Sequence, residues 1–162
     1  MSDGRTNVNV ADITVAYAPA TLVALGLGSC VAIVVHDPVA CVGGMAHVLL
    51  PSAPPGRTVA LPGRYAQSAI PLLIEQVLAA GADRARLTGR LAGGAAMFAN
   101  LSAPGMIHMG ERNTLAAREA LHGQGVRVIG EWVGGDFGRS VSYDLATGVV
   151  RVSSVRHGVR DL

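Results

Sequence analysis

Apolar residues in this chain come in short runs separated by turn signals, and two spacings recur. In Ser140 to Tyr143, Val141 and Tyr143 alternate with Ser140 and Ser142; in Val149 to Val155, Val150 and Val152 alternate with Arg151 and Ser153. A period of two with one polar face predicts strands wetted on one side. Val31 to Val35 is apolar throughout and reads as a buried strand. Ala20 to Leu27, Cys41 to Leu50, Arg86 to Leu91 and Val126 to Val133 also read as strands. Gly26-Leu27-Gly28-Ser29 and His36-Asp37-Pro38-Val39 are turns, the second using the fixed φ of proline. Gly43-Gly44 is a candidate bulge, and residues 1–12 read as a loose or edge-pairing start.

The spacing changes to a helical one at Arg64 to Ala80. Ala66, Ala69, Ile70, Leu73, Val77 and Leu78 share one face, and Arg64, Ser68, Glu75 and Ala79 lie opposite. Pro71 should kink this helix or mark where regular helix begins, and Gly81 suits its end. Glu111 to His122 predicts a second helix, with Gly123 past its end. No linker, repeat or low-complexity tract interrupts the pattern. Many strands with two helices predict an α+β or layered α/β domain, and 162 residues suit one domain over 1–162.

Composition narrows the class. Half the residues are hydrophobic and 15% are charged, which is too apolar for a disordered chain. Positive charge is all arginine, the formal net charge is +2, and one Trp, three Tyr and two Phe are the only aromatics. With no arginine cluster interleaved with aromatics, nucleic-acid binding has little support. Ile13 to Val35 is uncharged and long enough to span a bilayer, but Pro19, Gly26, Gly28 and Ser29 divide it, so it reads as two buried strands and not as a membrane insertion. Asp3, Arg5 and Asp12 do not make a secretory signal. A cytoplasmic protein with Cys30 and Cys41 as reduced thiols is expected.

The chemistry concentrates at Leu25-Gly26-Leu27-Gly28-Ser29-Cys30 and Met45-Ala46-His47. A cysteine just after a Gly-rich turn presents both its sulfur and its own N–H. If Asp37 to Ala40 forms a four-residue turn between antiparallel strands, Cys30 faces His47 directly, with Cβ atoms about 5 Å apart. A histidine there can take the thiol proton, as a thiolate nucleophile requires. The alternative is that Cys30 is a small hydrophobe. Cys41 reads as core filler, and His36, His108, His122 and His157 as solvated residues of turns, loops and helix ends. Glu111, Arg112 and Asn113 either touch a substrate or partner, or Glu111 complements the helix dipole and Asn113 caps or closes the turn. Gly134-Gly135 and Arg139 read as a tight turn and a solvated charge. No CxxC, HxxxH or acidic pair has metal-ligand spacing. Val31 stands where the dinucleotide fingerprint needs its third glycine, and Gly93-Gly94 lacks the lysine of a phosphate loop. No cofactor is expected.

Taken together, Leu25 to Ala32, His36 to Pro38, Gly43 to Pro51, Arg64 to Ala66, Gly93 to Phe98, Gly110 to Asn113 and Gly134 to Arg139 resemble the CheD family of bacterial chemoreceptor glutamine deamidases. The resemblance implies a three-layer α/β/α sandwich with mixed sheets and two main helices. It also implies Cys30 as nucleophile and His47 as base; for such a reaction the turn itself offers Gly28 and Ser29 as oxyanion or orienting candidates. The reaction it implies is hydrolysis of selected glutamine side chains in receptor cytoplasmic helices. It further implies binding to a CheC-type phosphatase that acts on phosphorylated CheY. A departure falls at Ala24, where the family usually has a threonine that orients the histidine. Weakened catalysis is therefore expected, with His47 held by a backbone carbonyl or water. A binding module with little catalysis is the alternative reading, and an unrelated cysteine amidase or protease a third.

Overall fold

The structure is a computed structural model describing residues 4–101 and 103–162, so Asp3, part of the charge pattern read above, lies outside the described residues. Five strands, β1 (Arg5–Asn7), β3 (Thr21–Leu27), β8 (Arg139–Asp144), β9 (Val150–Ser154) and β10 (Gly158–Asp161), form one mixed sheet in the order β1-β3-β8-β9-β10. The other mixed sheet is β2-β5-β4-β6-β7, built from β2 (Ile13–Tyr17), β5 (Val42–Val48), β4 (Val31–Asp37), β6 (Thr88–Gly93) and β7 (Arg127–Val133). Two main helices, α1 (Ala66–Ala79) and α2 (Met109–Gly123), both pack on this second sheet. The α/β class, the mixed sheets and the two helices agree with expectation. The layer order is not the expected α/β/α: both helices pack on one side of this sheet and the other sheet covers its opposite face, so the layers run helices, sheet, sheet.

That layering explains the sequence pattern. β4 is the central strand of its sheet and buried along its whole length. Val31, Ile33 and Val35 face the helices, while Ala32 and Val34 face the other sheet, so residues 31–35 are apolar on both faces. The other sheet is covered on one face only, hence the alternation in β8 and β9: Val141, Tyr143, Val150 and Val152 point inward and Arg151 outward. Helix α1 buries Ala66, Ala69, Ile70, Leu73, Ile74 and Val77, where a fully buried Leu or Ile contributes about 2 kcal/mol.

Several local expectations need correction. Helix α1 runs through Pro71, which stands on its exposed side and so loses one main-chain bond facing water. No bulge occurs at Gly43-Gly44, because β5 keeps unbroken register with both β2 and β4. A Cβ on Gly43 would collide with the Tyr143 hydroxyl and one on Gly44 with Leu73, so these glycines let both neighbouring layers approach β5. The uncharged stretch from Ile13 holds three strands, since β2 pairs with β5 ahead of β3 and β4. Cys41 is not core filler within a strand. It occupies the β4–β5 turn with φ of 51°, half-buried, with Sγ 3.7 Å from the Pro38 carbonyl.

Candidate active site

The β4–β5 turn decides how Cys30 meets His47. Asp37 Oδ1 accepts hydrogen bonds from the N–H groups of Val39 and Ala40, and the turn closes only at the pair Asp37↔Val42. It is thus two residues longer than the sequence suggested. His47 lies directly opposite Ala32, and the head-on Cys30–His47 pairing is overturned. Cys30 stands two residues before Ala32 and packs, like Ala32, against the core between the sheets. Cys30 and His47 are diagonal neighbours on one face, a relation with Cβ atoms about 7 Å apart, still within reach of an imidazole ring.

His47 is 3% exposed and held by a segment that carries no sequence signal. Val8 donates its N–H to Val23 of β3 and turns its carbonyl to His47 Nδ1, 3.0 Å away. Ala11, in the left-handed region at φ 71°, donates its N–H to the His47 carbonyl, and the His47 N–H goes to Asp12. A carbonyl only accepts, so Nδ1 carries a ring proton, and in the neutral imidazole the lone pair is on Nε2. That Nε2 is buried without a hydrogen-bond partner. The backbone carbonyl expected in place of the family's threonine is that of Val8; Ala24 itself is fully buried.

The Gly28-Ser29-Cys30 turn is anchored through its carbonyls. Gly28 accepts from the Ala95 N–H at 2.9 Å, Ser29 from Asn113 Nδ2 at 2.9 Å, and Cys30 from the Gly94 N–H at 2.8 Å. Gly93, at φ 108°, admits no Cβ, which would strike the Cys30 carbonyl. Among the described residues the Ser29 and Cys30 N–H groups have no carbonyl acceptor. Burial pushes the half-buried Cys30 thiol above the usual cysteine range and its own N–H pulls the other way. A groove of about 650 Å³ borders the turn at Gly26, Leu27 and Gly28, with Met97, Phe137 and Arg139 on its walls.

Other sequence-level readings change. Arg139 is no solvated charge: it is 2% exposed, donates to the Gly93 and Gly134 carbonyls at 3.0 and 2.6 Å, and lies over the Phe137 ring. His36 is buried against Tyr143, while His122 and His157 are exposed. Gly134 and Gly135, both at positive φ, make the expected tight turn. Asn113 is fully buried inside α2 and neither caps the helix nor meets solvent. Val8 and Ala11 were missed because main-chain groups of ordinary residues leave no mark in a sequence. Among the described residues no three His, Cys, Asp or Glu lie together as metal ligands, and no helix is long and apolar enough to cross a membrane.

A family model described as CheD chemotactic sensory transduction matches residues 49–154. The likeness to individual proteins runs further. A probable chemoreceptor glutamine deamidase CheD of Desulforamulus reducens is 40% identical over 153 residues, covering 94% of this chain and 92% of that protein. One from Desulfitobacterium hafniense is 41% identical over 155 residues, 94% of each chain. A probable chemoreceptor glutamine deamidase CheD 2 of Geobacter metallireducens is 40% identical over 159 residues, 96% of this chain and 97% of its own length.

Proposed function

The chain belongs to the CheD family, and on that premise we propose that it is a protein-glutamine deamidase of chemotaxis, acting on chemoreceptors with Cys30 as nucleophile and His47 as base. The observation that carries the reading is the tautomer. With Nδ1–H spent on the Val8 carbonyl, the buried Nε2 lone pair has no partner, on the face of the sheet that Cys30 shares. Because burial keeps the thiol protonated, Cys30 needs a base at the moment of attack.

The thiol proton passes to His47 Nε2 as Sγ bonds to the carboxamide carbon of the glutamine. The carbonyl π pair moves onto oxygen, and the Ser29 and Cys30 N–H groups are the candidate donors to that oxyanion. As the oxyanion collapses, His47 returns the proton to the departing nitrogen and ammonia leaves a thioester. Water, deprotonated by His47, then attacks the thioester, releasing glutamate and the Cys30 thiol. No cofactor takes part. With Val8 fixing the imidazole, Ala24 gives no reason to prefer a binding-only protein. Binding to a CheC-type phosphatase is a separate role that should survive Cys30→Ala.

The test is mass spectrometry of a folded, cognate receptor cytoplasmic fragment incubated with the parent or with Cys30→Ala. Conversion of particular glutamines to glutamate by the parent alone is the expected result. Equal conversion by both would remove Cys30 from the mechanism.

A further inference from the structure

We infer that Asn113 is a positioning residue for the deamidation, its buried carboxamide tying the main chain beside Cys30 to the main chain beside His47. The inference rests on Cys30 and His47 as the reacting pair. Asn113 Nδ2 donates to the Ser29 carbonyl and to the Leu49 carbonyl, each at 2.9 Å. Ser29 immediately precedes the nucleophile, and Leu49 lies two residues past the base. Both partners are carbonyls and can only accept, so the orientation of the amide is fixed by its surroundings. One side chain from α2 therefore spans the gap between β4 and β5 where their ladder ends, at the Val31↔Val48 pair. Beyond that pair the ladder no longer sets the distance between the two reacting side chains.

The surrounding packing makes this brace rigid. Gly110, in the first turn of α2, sits so close to the Gly94 and Ala95 main chain that a Cβ would collide with both carbonyl oxygens. The Gly94 and Ala95 N–H groups in turn hold the carbonyls of Cys30 and Gly28. All three carbonyls of the nucleophile turn thus hang from the α2 side of the molecule. The peptide planes that carry the Ser29 and Cys30 N–H groups are set by those bonds, because a peptide unit moves as a plane. Asn113 is fully buried, so it acts through Cys30 and His47 and not on the substrate.

Asn113→Leu keeps the side chain's approximate size and removes both donors. Its kcat on the receptor fragment should fall about 10²-fold, the effect of a reacting group displaced by about 1 Å, with KM unchanged. In a Cys41→Ser background, the pH profile of Cys30 alkylation by iodoacetamide should move to higher pH, since the peptide plane carrying the Cys30 N–H, which favours the thiolate, is no longer fixed at the Ser29 carbonyl. Circular dichroism identifies folded variants; if Asn113→Leu does not fold, Asn113→Ser, with one donor, takes its place. A folded variant with the parent's alkylation profile overturns the inference, whatever happens to the receptor fragment. A parent that alkylates normally and deamidates nothing overturns the proposed function, and the alkylation profile still decides the role of Asn113.

Discussion

At the open end of the β4–β5 hairpin stand Cys30 and His47; at its closed end stand His36 and Cys41. The residue types are the same, and their hydrogen bonds are not. His47 satisfies one ring nitrogen and leaves the other bare. His36 shares its Nδ1 with the Tyr143 hydroxyl at 2.6 Å, edge-on to that ring. Burial, with Arg90 adding to it, pushes His36 below the usual histidine range, so it stays neutral and structural. Burial pushes the Cys30 thiol up, with its own N–H opposing, whereas the Cys41 sulfur rests against the carbonyls of Pro38 and Ala146. On the proposed mechanism, reactivity along this hairpin follows from which polar atoms are left unsatisfied, not from having a cysteine near a histidine.

The cysteines give the largest contrast. Cys30→Ser should lower deamidation by about 10³-fold or more, as loss of a nucleophile does, and Cys41→Ser should leave it within about twofold. Rates on one receptor fragment measure both. If Cys41→Ser lost as much as Cys30→Ser, the distinction between the two ends would collapse.

Next in size is Asp37, which closes the far end of the hairpin. Its fully buried carboxylate accepts from the N–H groups of Val39, Ala40 and Asp83 and pairs with Arg86 at 2.9 Å. Asp37→Asn should cost about 2 kcal/mol through those bonds to a charged acceptor, with the part-exposed Arg86 pair adding little. Although burial alone would raise it, the hydrogen bonds from Arg86 and the main chain hold the Asp37 carboxyl well below the usual carboxylate range. The sign follows: its stabilisation is complete above about pH 4, the unfolded value, and is lost as pH falls toward the depressed folded value. Urea titrations from neutral to acid pH should show this loss in the parent and a flatter profile in Asp37→Asn. Turnover per folded molecule should not change.

Tyr143→Phe removes the partner of His36 and should cost about 1 kcal/mol, again without touching turnover. Denaturation midpoints and receptor-fragment assays, run together, separate the two effects. A variant that kept its stability and lost activity would mean that the closed end communicates with the open one.

The same contrast shows what a sequence can reveal. The strands of the β4–β5 hairpin were legible because burial on both faces demands apolar runs, and α1 because one buried face demands a helical period. Cys30 and His47 drew notice as candidate chemistry, and the structure places them on one face of the sheet. Their spacing was not legible, since it depends on a turn that Asp37 closes with its side chain and that puts Cys41 at a positive φ. Arg139 and Asn113 look like surface residues in sequence; only the fold shows that carbonyls await them inside. The Val8 carbonyl has no side-chain signature at all.

Position 24 carries the smallest prediction. The family's usual threonine is alanine here, yet His47 already has an acceptor at Nδ1. What a threonine could add is a second restraint on an imidazole whose tautomer is set, and a buried hydroxyl must find a partner to avoid a penalty of its own. Ala24→Thr should therefore raise kcat by about threefold, worth about 0.6 kcal/mol, and leave the pH at half-maximal activity in place, because the proton-accepting nitrogen is the same. A hundredfold gain, or a displaced pH profile, would mean that the Val8 carbonyl orients the ring too loosely to serve as the third member. No gain would mean that a main-chain carbonyl does the work of the hydroxyl in full. Either result would show how far the open end depends on a fixed ring as well as on a bare nitrogen.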